Sequence, residues 1–268
     1  MQARGTVALL GILGSLLLSI TASANSAYSK GCLPFFDYSK DQVVSNVVSP
    51  TGSMHQGRVD ITPEPMPINA FGEAVLRACG PLGSRVSPLA VQKLADRFSP
   101  DLMKQLAREF HDYNDMQLRA LVADAWIDSN GFEHVFCGQP KRDKVGGLHY
   151  ANRYFELQER GQLCRLDNNV MNEEILPQSV YTIGITTSSG IVDRKKGFST
   201  RQTAEDIFFE GARTYLRNCM KPSKNRRVCV SRFHQDGSFG SLFVCAPGNG
   251  IVTFYPLAKS QRGNPDCR

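Results

Sequence analysis

Five histidines occur in the 268 residues, and two of them, His134 and His149, sit in glycine-flanked segments fifteen positions apart. The first segment is Gly131-Phe132-Glu133-His134-Val135-Phe136-Cys137-Gly138; the second is Val145-Gly146-Gly147-Leu148-His149-Tyr150, at the predicted start of a helix. A helix N-terminus presents unpaired backbone N–H groups and the positive end of the helix dipole, so it suits a phosphate. An imidazole there, with an ordinary pKa of ~6.5, can give or take a proton on a phosphate ester near neutral pH. His55, His111 and His234 stand in no such context and are read as structural or surface residues. Arg153, one turn after His149, is a candidate phosphate contact, and Glu133 is a candidate to orient His134 or to bind a metal. His134-x-x-Cys137 with His149 can also be read as a metal set, and Cys137 as a nucleophile. Both readings need a free thiol, whereas a cysteine of an exported chain is expected in a disulfide.

These side chains need a frame. Residues 27 to about 67 are rich in Ser, Pro, Gly and polar types; they predict a loosely structured lead-in with a short strand at Gln42–Val48, tied down by Cys32. Helical signals follow. Ser87-Pro88 and Ser99-Pro100 each offer a cap and a proline at the first helical position. Leu102, Met103, Leu106, Ala107 and Phe110 then form an amphipathic stripe. A third helix is predicted from Asn114, with Leu118, Leu121, Val122 and Ala125 inward and Trp126 at its end. Beyond Gly131 the pattern changes to a helix over 148–160 ended by Gly161, a strand over 180–186, and a helix capped by Thr203. Strand-like runs at 228–233, 241–245 and 250–255 follow, punctuated by the hairpin dipeptides Asp236-Gly237 and Asn249-Gly250. The pattern predicts an α+β chain: a helical N-terminal region over 25–122, then a mixed, antiparallel-sheet-rich domain over 123–268.

Gly131-Phe132-Glu133-His134-Val135-Phe136, then Val145-x-Gly147-x-His149, then Glu159-x-Gly161 together resemble the signature of the EndoU endoribonucleases. The resemblance is dense over 128–161. It thins downstream to Lys195-Lys196-Gly197-Phe198 and to Gly250-Ile251-Val252-Thr253-Phe254-Tyr255-Pro256, and it does not reach the first 120 or so residues. It implies that His134 and His149 are catalytic and that Lys196 is the catalytic lysine, with Lys195 as competitor. It also implies that Thr253 and Tyr255 hold the uracil and sugar. Residues two apart in a strand share a face, so that hydroxyl and that ring can line one site. The implied reaction needs these types. The 2′-OH of RNA is the nucleophile, so the protein supplies a base for its proton, an acid for the leaving 5′ oxygen, and a cation beside the phosphate. His149 is the expected base and His134 the acid, an assignment that sequence does not fix. The implied substrate is single-stranded RNA cut at uridines, leaving 2′,3′-cyclic phosphate ends. Some members of the family depend on manganese or calcium and others do not; no obligatory metal is expected here.

Other features bound this reading. Arg4, an uncharged apolar run over 7–20 and Ala22-Ser23-Ala24 form a predicted secretory signal over 1–24, too short for a bilayer span of ~20 apolar residues. The expectation is a secreted or periplasmic protein of 244 residues (268 less 24), with no stable membrane association after cleavage. Removing Arg4 takes the formal net charge from +6 to +5, a mildly basic surface that suits a polyanion without naming it. All eight cysteines, at 32, 79, 137, 164, 219, 229, 245 and 267, follow the leader, and none is spaced CxxC. They read as disulfide staples, with Cys219 and Cys229 candidates to close a small loop, and they argue against a zinc ribbon or a thioredoxin-type site. The alternative of a different class is a catalytically silent, disulfide-stapled module that binds RNA or protein. A toxin aimed at other cells is a third reading, although nothing in the front half names a receptor, an inhibitor or an immunity partner.

Overall fold

The computed structural model describes residues 32–36, 42–48, 54–60, 66–174, 179–233, 239–258 and 263–267, with Cys32, 42–48, 54–60, 167–174 and 194–196 described by backbone alone. After three strands at 32–60, four helices follow one another: α1 (Ala70–Cys79), α2 (Pro88–Ala95), α3 (Pro100–Glu109) and α4 (Asp115–Ile127). Their starts follow from local chemistry. Ser99 accepts from the Leu102 N–H ahead of Pro100, and Asn114 and Gln117 exchange hydrogen bonds in a capping box. A π-helical turn (Glu133–Cys137) precedes α5 (Ala151–Glu159), and α6 (Ala204–Asn218) begins at a second capping box, Thr203 with Asp206.

The strands form two principal sheets. In the larger, β3 (Met54–Asp60), β2 (Gln42–Val48), β6 (Leu163–Glu174), β7 (Val180–Thr187) and β8 (Val192–Ser199) lie in that order, with β1 (Cys32–Leu33) also on β6. In the smaller, β11 (Ile251–Pro256), β10 (Phe239–Cys245) and β9 (Arg227–Phe233) form an antiparallel meander. A short pair, β4 (Gln139–Pro140) and β5 (Val145–Gly146), bridges the two histidine segments. The chain is α+β as the pattern predicts, with β1–β3 ahead of the helices and β2 joining β6 in parallel within an otherwise antiparallel larger sheet.

Two apolar clusters hold these layers. One joins α1–α4 to α6 and β9–β11 around Trp126, which is fully buried. Its indole stacks on Phe208 at 5.5 Å and donates to the Phe208 carbonyl. Burying one such ring contributes ~1.5–3 kcal/mol. The helices of 25–122 thus share a core with the last three strands. The second cluster packs Phe35, Phe36, Tyr154, Leu157, Ile183, Ile185 and Phe198 between α5 and the larger sheet. Three disulfides are described: Cys79–Cys137, Cys219–Cys245 and Cys229–Cys267; Cys164 is disulfide-bonded as well. Cys219 and Cys229 therefore do not pair with each other, because they sit at opposite ends of the loop between α6 and β9 and each faces a different strand or tail.

Other departures have similar causes. The expected strand at Gln42–Val48 is present, but it pairs with β3, whose Met54-His55-Gln56-Gly57-Arg58 gives no apolar alternation. The charged run Asp193-Arg194-Lys195-Lys196 lies inside β8, a strand that the sequence pattern does not predict. The Asp236-Gly237 turn and His234 lie outside the described residues.

Candidate active site

His134 stands in the π-helical turn and His149 two residues before α5, and their rings lie 5.9 Å apart, centroid to centroid. Two backbone hydrogen bonds weld the segments together: Leu148 N–H to the His134 carbonyl, and His149 N–H to that of Val135, each 2.7 Å. The glycines explain how the chain comes this close. Gly147 has φ +65°, and a Cβ there would overlap the His134 carbonyl oxygen. Gly131 similarly faces the carbonyl of Ile251, so it lets β11 close onto the His134 segment. Leu148 carries φ +72°, a conformation costing ~1–3 kcal/mol for a non-glycine residue. It is held there by full burial and by the Tyr154 hydroxyl, which donates to its carbonyl at 2.6 Å.

Each imidazole is oriented through Nδ1. That of His149 lies 2.9 Å from the Gly197 carbonyl of β8. A carbonyl only accepts, so in the neutral ring Nδ1 carries the proton and Nε2 is the basic nitrogen. That of His134 lies 3.2 Å from Gln139 Oε1, an amide that can present either end. Gln139 was not singled out from sequence; it follows Gly138 at an otherwise featureless position. Tyr255 stacks on His149, ring centroids 4.9 Å apart and planes 28° from parallel. Burial pushes its phenol above the ordinary value. Thr253, on the same face of β11, has a buried hydroxyl with no hydrogen-bond partner.

Residues 128–258 match the profile of the bacterial EndoU nuclease family. Residues 128–258 belong to the EndoU family. A uridylate-specific endoribonuclease of Paralichthys olivaceus is 49% identical over 37 residues, which is 14% of this chain and 10% of that protein. The chain therefore spans a tenth of that relative's length. The EndoU signature segments are the ones that meet here in space: His134, His149, Thr253 and Tyr255 come together on the π-helical turn, the α5 entry and β11.

Lys196 is placed by its backbone in β8, opposite Ile183 and next to Gly197; its side chain and that of Lys195 lie outside the described residues. Asp193, on the same strand, accepts from the Val145 N–H and ties the second histidine segment to β8. Arg153 is not brought to the site. Its side chain has no solvent exposure, donating to the Cys137 carbonyl at 3.3 Å and to Glu156 at 2.5 Å. Burial lowers its pKa, and Glu156 opposes that shift. It braces the end of the His134 turn. Glu133 does not orient His134 either; it accepts from the Val86 N–H at 2.8 Å. Cys137 is bonded to Cys79, which removes both the metal-ligand and the nucleophile readings of that thiol. Among the described residues no three His, Cys, Asp or Glu gather as a metal-holding group, and no helix is long and apolar enough to cross a membrane. His111 is exposed on the surface beside Asp112.

Proposed function

We propose that the protein is an endoribonuclease that cuts single-stranded RNA at uridines by transesterification. The observation that carries this reading is the pair of imidazoles 5.9 Å apart with a tyrosine stacked on one of them. That spacing lets two rings reach opposite sides of one phosphodiester. His149 Nε2 takes the proton of the 2′-OH, and the 2′ oxygen attacks phosphorus. His134 gives a proton to the departing 5′ oxygen. One P–O bond forms and one breaks, leaving a 2′,3′-cyclic phosphate and a 5′-OH. Each imidazole contributes ~10²–10⁴-fold. Lys196, beside the carbonyl that holds His149, supplies positive charge for the non-bridging oxygens. Tyr255 and the unpartnered Thr253 hydroxyl receive the nucleoside, the ring by stacking and the hydroxyl by a hydrogen bond. The uridine preference is supported by the similarity to the uridylate-specific endoribonuclease of Paralichthys olivaceus.

No step above calls for a metal, so we propose none as obligatory. Export to the periplasm or the outside, after removal of residues 1–24, accords with the disulfide-bonded cysteines. The test compares cleavage and RNA binding in His134→Ala. An enzyme loses turnover by at least ~10²-fold while binding of a non-cleavable strand is largely kept. Unchanged turnover in the variant would remove His134 from the mechanism, and no turnover in the folded parent with and without manganese or calcium would return the fold to the binding-module reading.

A further inference from the structure

Between the end of α6 and the start of β9 the chain opens a groove of about 1020 Å³, lined by Tyr113, Lys221, Asn225, Arg226, Arg227 and Val228 among others, with no carboxylate among its lining residues. All residues from 221 to 228 are exposed, yet the loop is fixed. Cys219–Cys245 staples its beginning and Cys229–Cys267 its end. Pro222 packs on Gly248, whose N–H donates to the Cys219 carbonyl at 2.7 Å. Part of the charge has local employment: Arg227 donates to the Asn218 carbonyl at the end of α6, and Arg217 pairs with Glu109. Lys221, Lys224 and Arg226 form no ion pair among the described residues, and Lys221 and Arg226 line the groove together with the half-buried Tyr113.

Val228, at one edge of the groove, relates it to the strand that carries Thr253 and Tyr255. Val228 is in register with Val244, and Val244 with Thr253, across the three strands of the smaller sheet. Paired residues share a face, so the groove edge lies two strand spacings, roughly 10 Å, from Thr253 on the face that also carries Tyr255. Rigid cations lining a groove beside an aromatic ring are the composition of a single-strand track: charge follows the phosphates and the ring takes a base.

We infer that the Lys221–Arg226 groove binds the phosphodiester backbone of single-stranded RNA beyond the nucleotides held in the active site. This rests on the proposed RNA substrate, but the groove is tested without cleavage. A fluorescent all-2′-O-methyl 20-mer, which cannot form a cyclic phosphate, is titrated against the oxidised mature chain and against Lys221→Ala/Arg226→Ala over a range of salt. Loss of two phosphate contacts is expected to lower the log–log salt slope by about 1.4 and to weaken binding ~20-fold at 0.1 M salt. Cleavage of a two-nucleotide substrate by the variant stays at the parental level, which reports both that it is folded and that the catalytic reading stands. If binding and slope are unchanged in the variant, the groove is not an RNA site, whatever the dinucleotide assay shows. If the parent binds the strand and the variant does not, while neither cleaves a dinucleotide, the groove stands and the catalytic reading falls. Anionic phosphatidylserine vesicles are the counter-probe. Variant-sensitive vesicle binding with RNA binding unaltered would assign the groove to a membrane surface and overturn the inference.

Discussion

The Nδ1 partner is a backbone carbonyl for His149 and a side-chain amide for His134, and in the proposed mechanism this difference suits the first to act as base and the second as acid. The carbonyl fixes one tautomer, as a base requires, whereas the amide leaves His134 able to cycle. Gln139→Glu tests the assignment. A carboxylate beside Nδ1 favours the imidazolium and raises the His134 pKa by roughly one pH unit or more. If His134 is the acid, activity is lost as pH rises through that pKa, so the alkaline limb of kcat against pH moves upward. Movement of the acidic limb instead would make His134 the base. Burial keeps the Tyr255 phenol above its ordinary value, so it stays neutral across that window and does not supply the limb. Gln139→Leu, which cannot hydrogen-bond, is expected to lower kcat ~10-fold with little change in KM. Both histidines and the Thr253–Tyr255 pair were legible in the sequence because each lies in a short local pattern. Arg153 and Glu133 are drawn away from the site by contacts that their local patterns do not show, the Cys137 carbonyl and Glu156 for the first and the Val86 N–H for the second.

Between the residue and the whole stand the turns that bring the histidine segments together. Gly147→Ala puts a methyl group into the His134 carbonyl at a positive φ, so the two welding hydrogen bonds cannot both survive. The expected cost is about 3 kcal/mol or more, read as a lower midpoint in denaturant, with turnover falling further than stability alone explains. Gly131→Ala displaces β11 instead, so its first effect is on KM through Thr253 and Tyr255. Capped helices were readable from Ser99-Pro100, Asn114 and Thr203, because capping is local chemistry. β3 and β8 were not, because their polar and charged residues carry no apolar alternation and only their partners make them strands.

For the molecule as a whole, the helical front half is part of the machinery that holds the site. Cys79 of α1 is bonded to Cys137 at the end of the His134 turn, across 58 residues of sequence. Constraining a loop of that length stabilises a fold by ~4 kcal/mol in the chain-entropy view. Cys79→Ser/Cys137→Ser is expected to lose most of that, measured by urea unfolding, and to lose activity at temperatures where the parent is still active. The fold class was readable from the order of helical and strand-like patterns. The disulfide pairing was not, since it joins segments that only the tertiary fold makes neighbours.

The most direct test of the central claim uses the oxidised chain from Asn25 to Arg268, an RNA with a single uridine and its all-deoxy counterpart, each with and without EDTA. The new ends are identified chemically, with His134→Ala and His149→Ala as controls. Two paired imidazoles acting on a 2′-OH predict a 2′,3′-cyclic phosphate at the uridine, on RNA alone, in both EDTA lanes and in neither variant. Cleavage of the all-deoxy strand, or a linear phosphate formed with no cyclic precursor, would contradict it.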